Sequence, residues 1–156
     1  IGKLGKAMKY VTTSSFPNRP KRETATNTFV RLNYGCCSVS DGTATIDYPS
    51  LKFSDGQLRR PTVSMTYLEE EHSLSFTVTP PSKVYAGCWA TDRVCAVLLD
   101  EEYNQAMFEE LGTRGDGGMV TVALDEQWAK ENVHVYVFCV TEDGKDVSPT
   151  TYMPIE

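Results

Sequence analysis

Residues 133–153 read VHVYVFCVTEDGKDVSPTTYM, and a stretch of this kind admits few folds. In an extended chain Val133, Val135, Val137 and Cys139 fall on one face, and His134, Tyr136, Phe138 and Val140 on the other. β-Branched and aromatic side chains dominate, which suits a pleated surface. Glu142-Asp-Gly-Lys145 supplies a tight turn, and Val147 to Met153 runs back. The stretch predicts a β-hairpin.

The same period recurs upstream. Val63, Met65 and Tyr67 alternate across 62–68. Leu74, Phe76 and Val78 alternate with Ser73, Ser75 and Thr77 up to Pro80-Pro81, the pattern of a half-buried strand. Val94 to Leu99 is unbroken apolar sequence, as in a central strand covered on both faces. Met119 to Leu124 alternates again. Ala44 to Tyr48 reads as an edge strand stopped by Pro49, and Leu51 to Phe53 continues it up to the Asp55-Gly56 turn. Two readings compete over 100–111. Tyr103, Met107 and Leu111 have helical spacing, whereas a hairpin would place an edge strand near Met107–Phe108. Gly112 to Gly118 is a glycine-rich loop. About seven strands over 43–153, separated by turn signals, predict a mainly β fold: an antiparallel immunoglobulin/fibronectin III-like β-sandwich.

The first 42 residues look different, and 1–42 is expected to form a basic helical and loop arm before a sandwich over 43–156. Leu4, Met8 and Val11 share a helical face within 2–11, Pro17 and Pro20 mark a loop, and 26–34 reads as a further helical turn closed by Gly35. Residues 1–35 carry seven Lys/Arg and one acid, while 36–156 carry eight Lys/Arg and twenty acids. An acidic body argues against nucleic acid as a partner, because phosphate contacts need a basic face. No apolar run approaches the roughly 20 residues that span a bilayer. The five cysteines are odd in number and lack C-x-x-C spacing, so they are expected as free, buried, small hydrophobes, which tilts the expected compartment toward the cytoplasm.

Motifs that carry chemistry are sparse. A serine nucleophile would need an elbow such as G-x-S-x-G, and a calcium loop would need D-x-D-x-D-G; neither occurs. His134 is expected to point to solvent or complete a hydrogen bond, and His72 to sit in a solvated turn after Glu69-Glu-Glu71. Arg114-Gly115-Asp116 is a tripeptide that can serve as an adhesion ligand, but a loop between strands explains it. Trp128 is expected to cap the core. Trp89, Tyr85 and Tyr103 are the candidate ligand-binding platform. No catalytic residue, metal site or cofactor is predicted.

The segments TATIDYPSLKFSDGQL, LSFTV, TDRVCAVLLDEEYN and VHVYVFCVTEDGKDVSPTTY resemble an uncharacterised family of Bacteroidetes proteins, catalogued as domains of unknown function. Ile46-Asp-Tyr-Pro49 through Ser54, Gly56 and Leu58 follows one of its segments, Thr91-Asp-Arg93 through Tyr103-Asn104 a second, and Thr141 through Ser148 and Tyr152 a third. The likeness spans roughly 25–153. This chain lacks the family's glycine-rich opening and carries two extra residues within 99–104. The resemblance implies the sandwich and supplies no activity. The expected role is a non-catalytic structural or protein-interaction module, with a protein partner or self-association. The alternative is a carbohydrate- or small-ligand-binding module.

Overall fold

The computed structural model describes residues 16–156. The helix expected over 2–11 lies outside them. The described chain is mainly β, with antiparallel sheets and one short helix.

Helix α1 spans Ala25–Asn33. The Thr24 side chain accepts the Asn27 N–H at 3.1 Å and caps its N-terminus. Gly35 does not close it in a left-handed turn. Tyr34 stays right-handed and the chain tightens into a 3₁₀ turn over Tyr34–Cys36. Asn33 takes over the closing role. Fully buried, its Nδ2 donates to Phe29 O at 2.9 Å and to Lys52 O at 2.8 Å, and its Oδ1 accepts the Lys52 N–H at 2.6 Å. One side chain thus ends the helix and pins it to the segment nineteen residues on.

Strands β1 (Cys37–Ser40) and β2 (Thr43–Ile46) form a separate hairpin. Asp41 and Gly42 both have positive φ, 52° and 77°, as a two-residue turn matching strand twist requires. Past Ile46 the expected strand does not continue. Tyr48–Ser50 is a 3₁₀ turn built on Pro49, and Leu51 and Phe53 are buried anchors in irregular chain.

Two sheets follow. One has the order β3-β4-β7, from Thr62–Leu68, Ser73–Thr79 and Gly118–Ala123. The other has the order β6-β5-β8-β9, from Gln105–Thr113, Arg93–Asp100, Val133–Val140 and Thr151–Met153. The ambiguous 100–111 stretch is therefore a hairpin. Tertiary pairing with β5 overrides its helical spacing, and Leu111, buried in the core, sits at a bulge opposite Val94/Cys95. The last strand is shorter than expected. Pro149 has no N–H to give, so only a Val140–Val147 bridge precedes Thr151–Met153.

Residues of β5 and β8 divide by parity between two cores. Val94, Ala96, Leu98, Val135, Val137 and Cys139 pack with Leu74, Phe76, Val78 and Val122 of the three-stranded sheet. Cys95, Val97, Leu99, Tyr136, Phe138 and Val140 pack with Phe16, Phe29, Leu51 and Phe53. The four-stranded sheet is covered on both faces, which is why 94–99 is unbroken apolar sequence. Phe53 sits 5.3 Å from Phe29 and 4.5 Å from Tyr136, ring centre to ring centre, joining the N-terminal segment to β8.

Candidate functional site

Antiparallel pairing puts the starts of β3, β5, β7 and β9 at one end of the molecule, together with the ends of β4, β6 and β8. The β4–β5, β6–β7 and β8–β9 connections gather there. They are organised by one ion pair. Arg114, in the β6–β7 loop, is 3% exposed, and Asp92, just before β5, is fully buried. Arg114 Nε and Nη2 both reach Asp92 Oδ2, at 3.1 and 3.0 Å, and the Trp89 N–H donates to the same oxygen at 3.0 Å. Arg114 Nη2 also donates to Arg59 O at 2.8 Å, and Nη1 to Arg60 O at 3.4 Å. A single guanidinium therefore ties three stretches of chain together. Gly115 is needed beside it, because a Cβ there would stand 2.7 Å from Ala90 Cβ. Arg114-Gly115-Asp116 is thus a packed corner with its arginine consumed internally, not a displayed adhesion tripeptide.

A cleft of about 470 Å³ opens on the arginine side of this pair. Arg59, Arg60 and Arg114 line it with Tyr85, Thr62 and Thr79. The Arg59 guanidinium lies 4.3 Å above the Tyr85 ring, a cation–π contact. Arg60 Nη1 donates to Thr150 O and, at 3.1 Å, to Thr151 Oγ1. A second hollow of about 400 Å³ lies on the acid side, lined by Trp89, Thr91, Asp92, Thr141, Glu142 and Asp143. The Lys145 backbone N–H and the Thr141 hydroxyl both donate to Asp143, and hold its carboxyl below the ordinary range.

The three aromatic residues singled out from sequence do not converge. Tyr85 and Trp89 sit in the β4–β5 connection, one in each hollow, at 43% and 46% exposure. Tyr103 is in the β5–β6 turn, roughly 25 Å away along β5. Trp128 is buried, with Nε1 donating to Gln105 Oε1 at 3.0 Å.

The far end carries a different cluster. His134 Nε2 is 2.9 Å from Glu101 Oε2, its Nδ1 is 2.9 Å from the Tyr152 hydroxyl, and its ring stacks on Tyr48 at 4.2 Å between centroids. A carboxylate only accepts, so Nε2 carries a hydrogen; in the neutral imidazole Nδ1 then accepts from Tyr152. Carboxylate, imidazole and hydroxyl in a row have the outline of a nucleophile relay. The electrostatics run the other way. Burial, and then the Glu101 charge, push the Tyr152 hydroxyl up, and the same two causes followed by Asp100 push Tyr48 up. Both hydroxyls are held protonated. His72 likewise bridges Tyr67 Oη at 2.7 Å and Asp125 O at 3.1 Å.

Residues 15–154 match a family of unknown function (DUF6266). The chain belongs to this family. No curated protein and no solved structure matches it. Among the described residues of this DUF6266 chain, no helix is long and apolar enough to cross a membrane, and no group of three or more His, Cys, Asp or Glu side chains is placed to hold a metal ion. All five cysteines are free. Burial pushes the thiols of Cys95 and Cys139 up to about 12.

Sequence reading named Tyr85 of the cleft lining but not the arginines and the aspartate that build the cleft. Asp92 and Arg114 are twenty-two positions apart, and no local spacing links them. Arg59-Arg60 did leave a trace: it is an adjacent basic pair inside an otherwise acidic body.

Proposed function

We propose that this chain is a non-catalytic binding module, an immunoglobulin/fibronectin III-like sandwich that meets its partner with the loops around Arg114 and Asp92. The observation that carries this reading is the arginine cleft. It is concave, sits on loops braced by a buried ion pair, and presents Arg59 and Arg60, which pair with no carboxylate among the described residues. Binding residues gather on loops held by a rigid scaffold. The strand orders β3-β4-β7 and β6-β5-β8-β9, with a core shared between the sheets, support the sandwich. The raised tyrosine hydroxyls around His134 favour a structural role for the one relay-shaped cluster.

Amide chemical-shift mapping against peptide and glycan panels tests this reading. A ligand is expected to move the amides of 57–60, 79–92 and 112–117, leave those around Glu101 and His134 in place, and remain chemically unchanged. Turnover of any bound compound, or shifts confined to the far end, would overturn it.

The carbohydrate-binding alternative has its own support in Trp89, whose half-exposed ring shares a hollow with Glu142 and Asp143. It predicts quenching of tryptophan fluorescence by a glycan, lost in Trp89→Ala.

A further inference from the structure

Arg114 contributes no net charge to the cleft, because Asp92 cancels it. The positive charge there comes from Arg59 and Arg60, both exposed. Among the described residues neither pairs with a carboxylate. The two are not equivalent. Arg60 is held by Thr150 O and Thr151 Oγ1. The Arg59 guanidinium lies over the Tyr85 ring, 4.3 Å from its centre, and its backbone is fixed by an N–H bond to Gly87 O at 2.7 Å. Stacking of this kind orients a guanidinium without using its N–H donors, and leaves the fork open to an incoming oxyanion.

The rest of the lining says what carries that oxyanion. At about 470 Å³ the cleft has room for several heavy atoms beyond a carboxylate. Leu58, Pro81 and Pro149 give it an aliphatic wall, which suits apolar side chains and gives little to the hydroxyls of a sugar. Thr62 opens β3, and β3 is the outer strand of its sheet, so a row of backbone N–H and C=O groups starts beside Arg59 and Arg60. An extended chain can follow such an edge.

We propose that the cleft docks an extended acidic peptide, with a glutamate or aspartate carboxylate of that peptide held by the Arg59 fork. This rests on the reading that the Arg114 end is the binding surface, and it adds the chemistry of the partner.

The probe is an acetylated, amidated pentapeptide alternating leucine and glutamate, titrated into the full chain and followed by amide shifts. Its controls are the glutamine counterpart and digalacturonate. The glutamate peptide is expected to shift Arg59, Tyr85 and Thr62, and to bind about tenfold more tightly than the glutamine peptide, the loss typical of one charge-assisted hydrogen bond. Arg59→Gln is expected to reduce binding by a similar factor. Arg59→Lys, which keeps the charge but not the fork, should recover only part of it. Arg59 is exposed, so these variants should fold; unchanged melting temperatures check that. Equal binding of the two peptides, or no effect of Arg59→Gln, would overturn the carboxylate assignment and leave the binding surface standing. Tighter binding of digalacturonate than of the glutamate peptide would overturn the peptide assignment. Absence of shifts at this end with every probe would overturn both this proposal and the reading on which it rests.

Discussion

Among the described residues, Asp92 accepts two hydrogen bonds and a further arginine contact on one carboxylate oxygen and none on the other. Oδ2 takes Arg114 Nε, Arg114 Nη2 and the Trp89 N–H, while the buried Oδ1 has no partner among the described residues. The pair therefore places chain more than it contributes net stability, since burying two charges roughly offsets their attraction.

Breaking that pair from one side leaves an uncompensated buried charge. Arg114→Met is expected to cost about 3–5 kcal/mol. It should also release the loop carrying Arg59 and Arg60, because both backbone carbonyls lose their donor. Urea unfolding measures the first effect and hydrogen exchange in 57–60 the second. A double change, Arg114→Met with Asp92→Leu, should recover much of the stability without restoring the cleft.

Asn33 closes α1 and ties it to Lys52 through three hydrogen bonds. Asn33→Ala is expected to cost about 2–4 kcal/mol, because it strands buried backbone groups at two places. Asn33→Asp, which keeps the acceptor but loses the donor and buries a charge, should be no better. Denaturant midpoints decide this.

The thiols of Cys95 and Cys139 are buried and pushed up to about 12 from an ordinary 9.0. In the unfolded chain these thiols ionise near pH 9, and in the folded protein only near 12. Their contribution to stability is full below pH 9 and is lost as the pH rises from 9 to about 12. Tyr48 and Tyr152, also raised, push in the same direction. Stability measured from pH 8 to pH 11 should fall across that window. At pH 8 a thiol reagent should label Cys37, which is partly exposed, and spare Cys95 and Cys139 until the protein unfolds.

Glu101, His134 and Tyr152 join the β5–β6 turn to β8 and β9. Tyr152→Phe removes one hydroxyl from a part-buried chain of hydrogen bonds and should cost about 1 kcal/mol. Thermal unfolding reads this, and ligand shifts at the Arg59 end should not change. An altered affinity there would mean that the two ends communicate.

Much of the fold was legible in the sequence, and the reasons are specific. Leu74, Phe76 and Val78 have one dry face, and alternation states that directly. Tyr103, Met107 and Leu111 misled, because a spacing of four residues is one helical turn and also two full periods of a strand, and Met107 and Leu111 face the same core either way. Leu51 and Phe53 looked like strand residues because they are buried, yet burial in irregular chain leaves the same apolar letters. For the cleft, no window of sequence contains Arg59, Asp92 and Arg114 together. Their association depends on three connections meeting at one end of the body. Trp89 and Tyr85 were visible as large side chains near turns, but which hollow each would line was set by the Asp92 and Arg114 pair.

Strands with dry faces on both sides raise a question of alignment. Along β5 every side chain from Val94 to Asp100 is buried, and along β8 so is every one from Val135 to Val140. Sliding such a strand by one residue exchanges its two sets of side chains, yet it would carry apolar groups into apolar surroundings, so hydrophobicity alone hardly opposes the error. The correct alignment must be written in its polar ends. Asp92 enters β5 locked to Arg114, and Asp100 leaves it accepting the Tyr103 N–H at 2.8 Å. These two aspartates work as end stops, and the central strand of the molecule is indexed by its charges rather than by its oil.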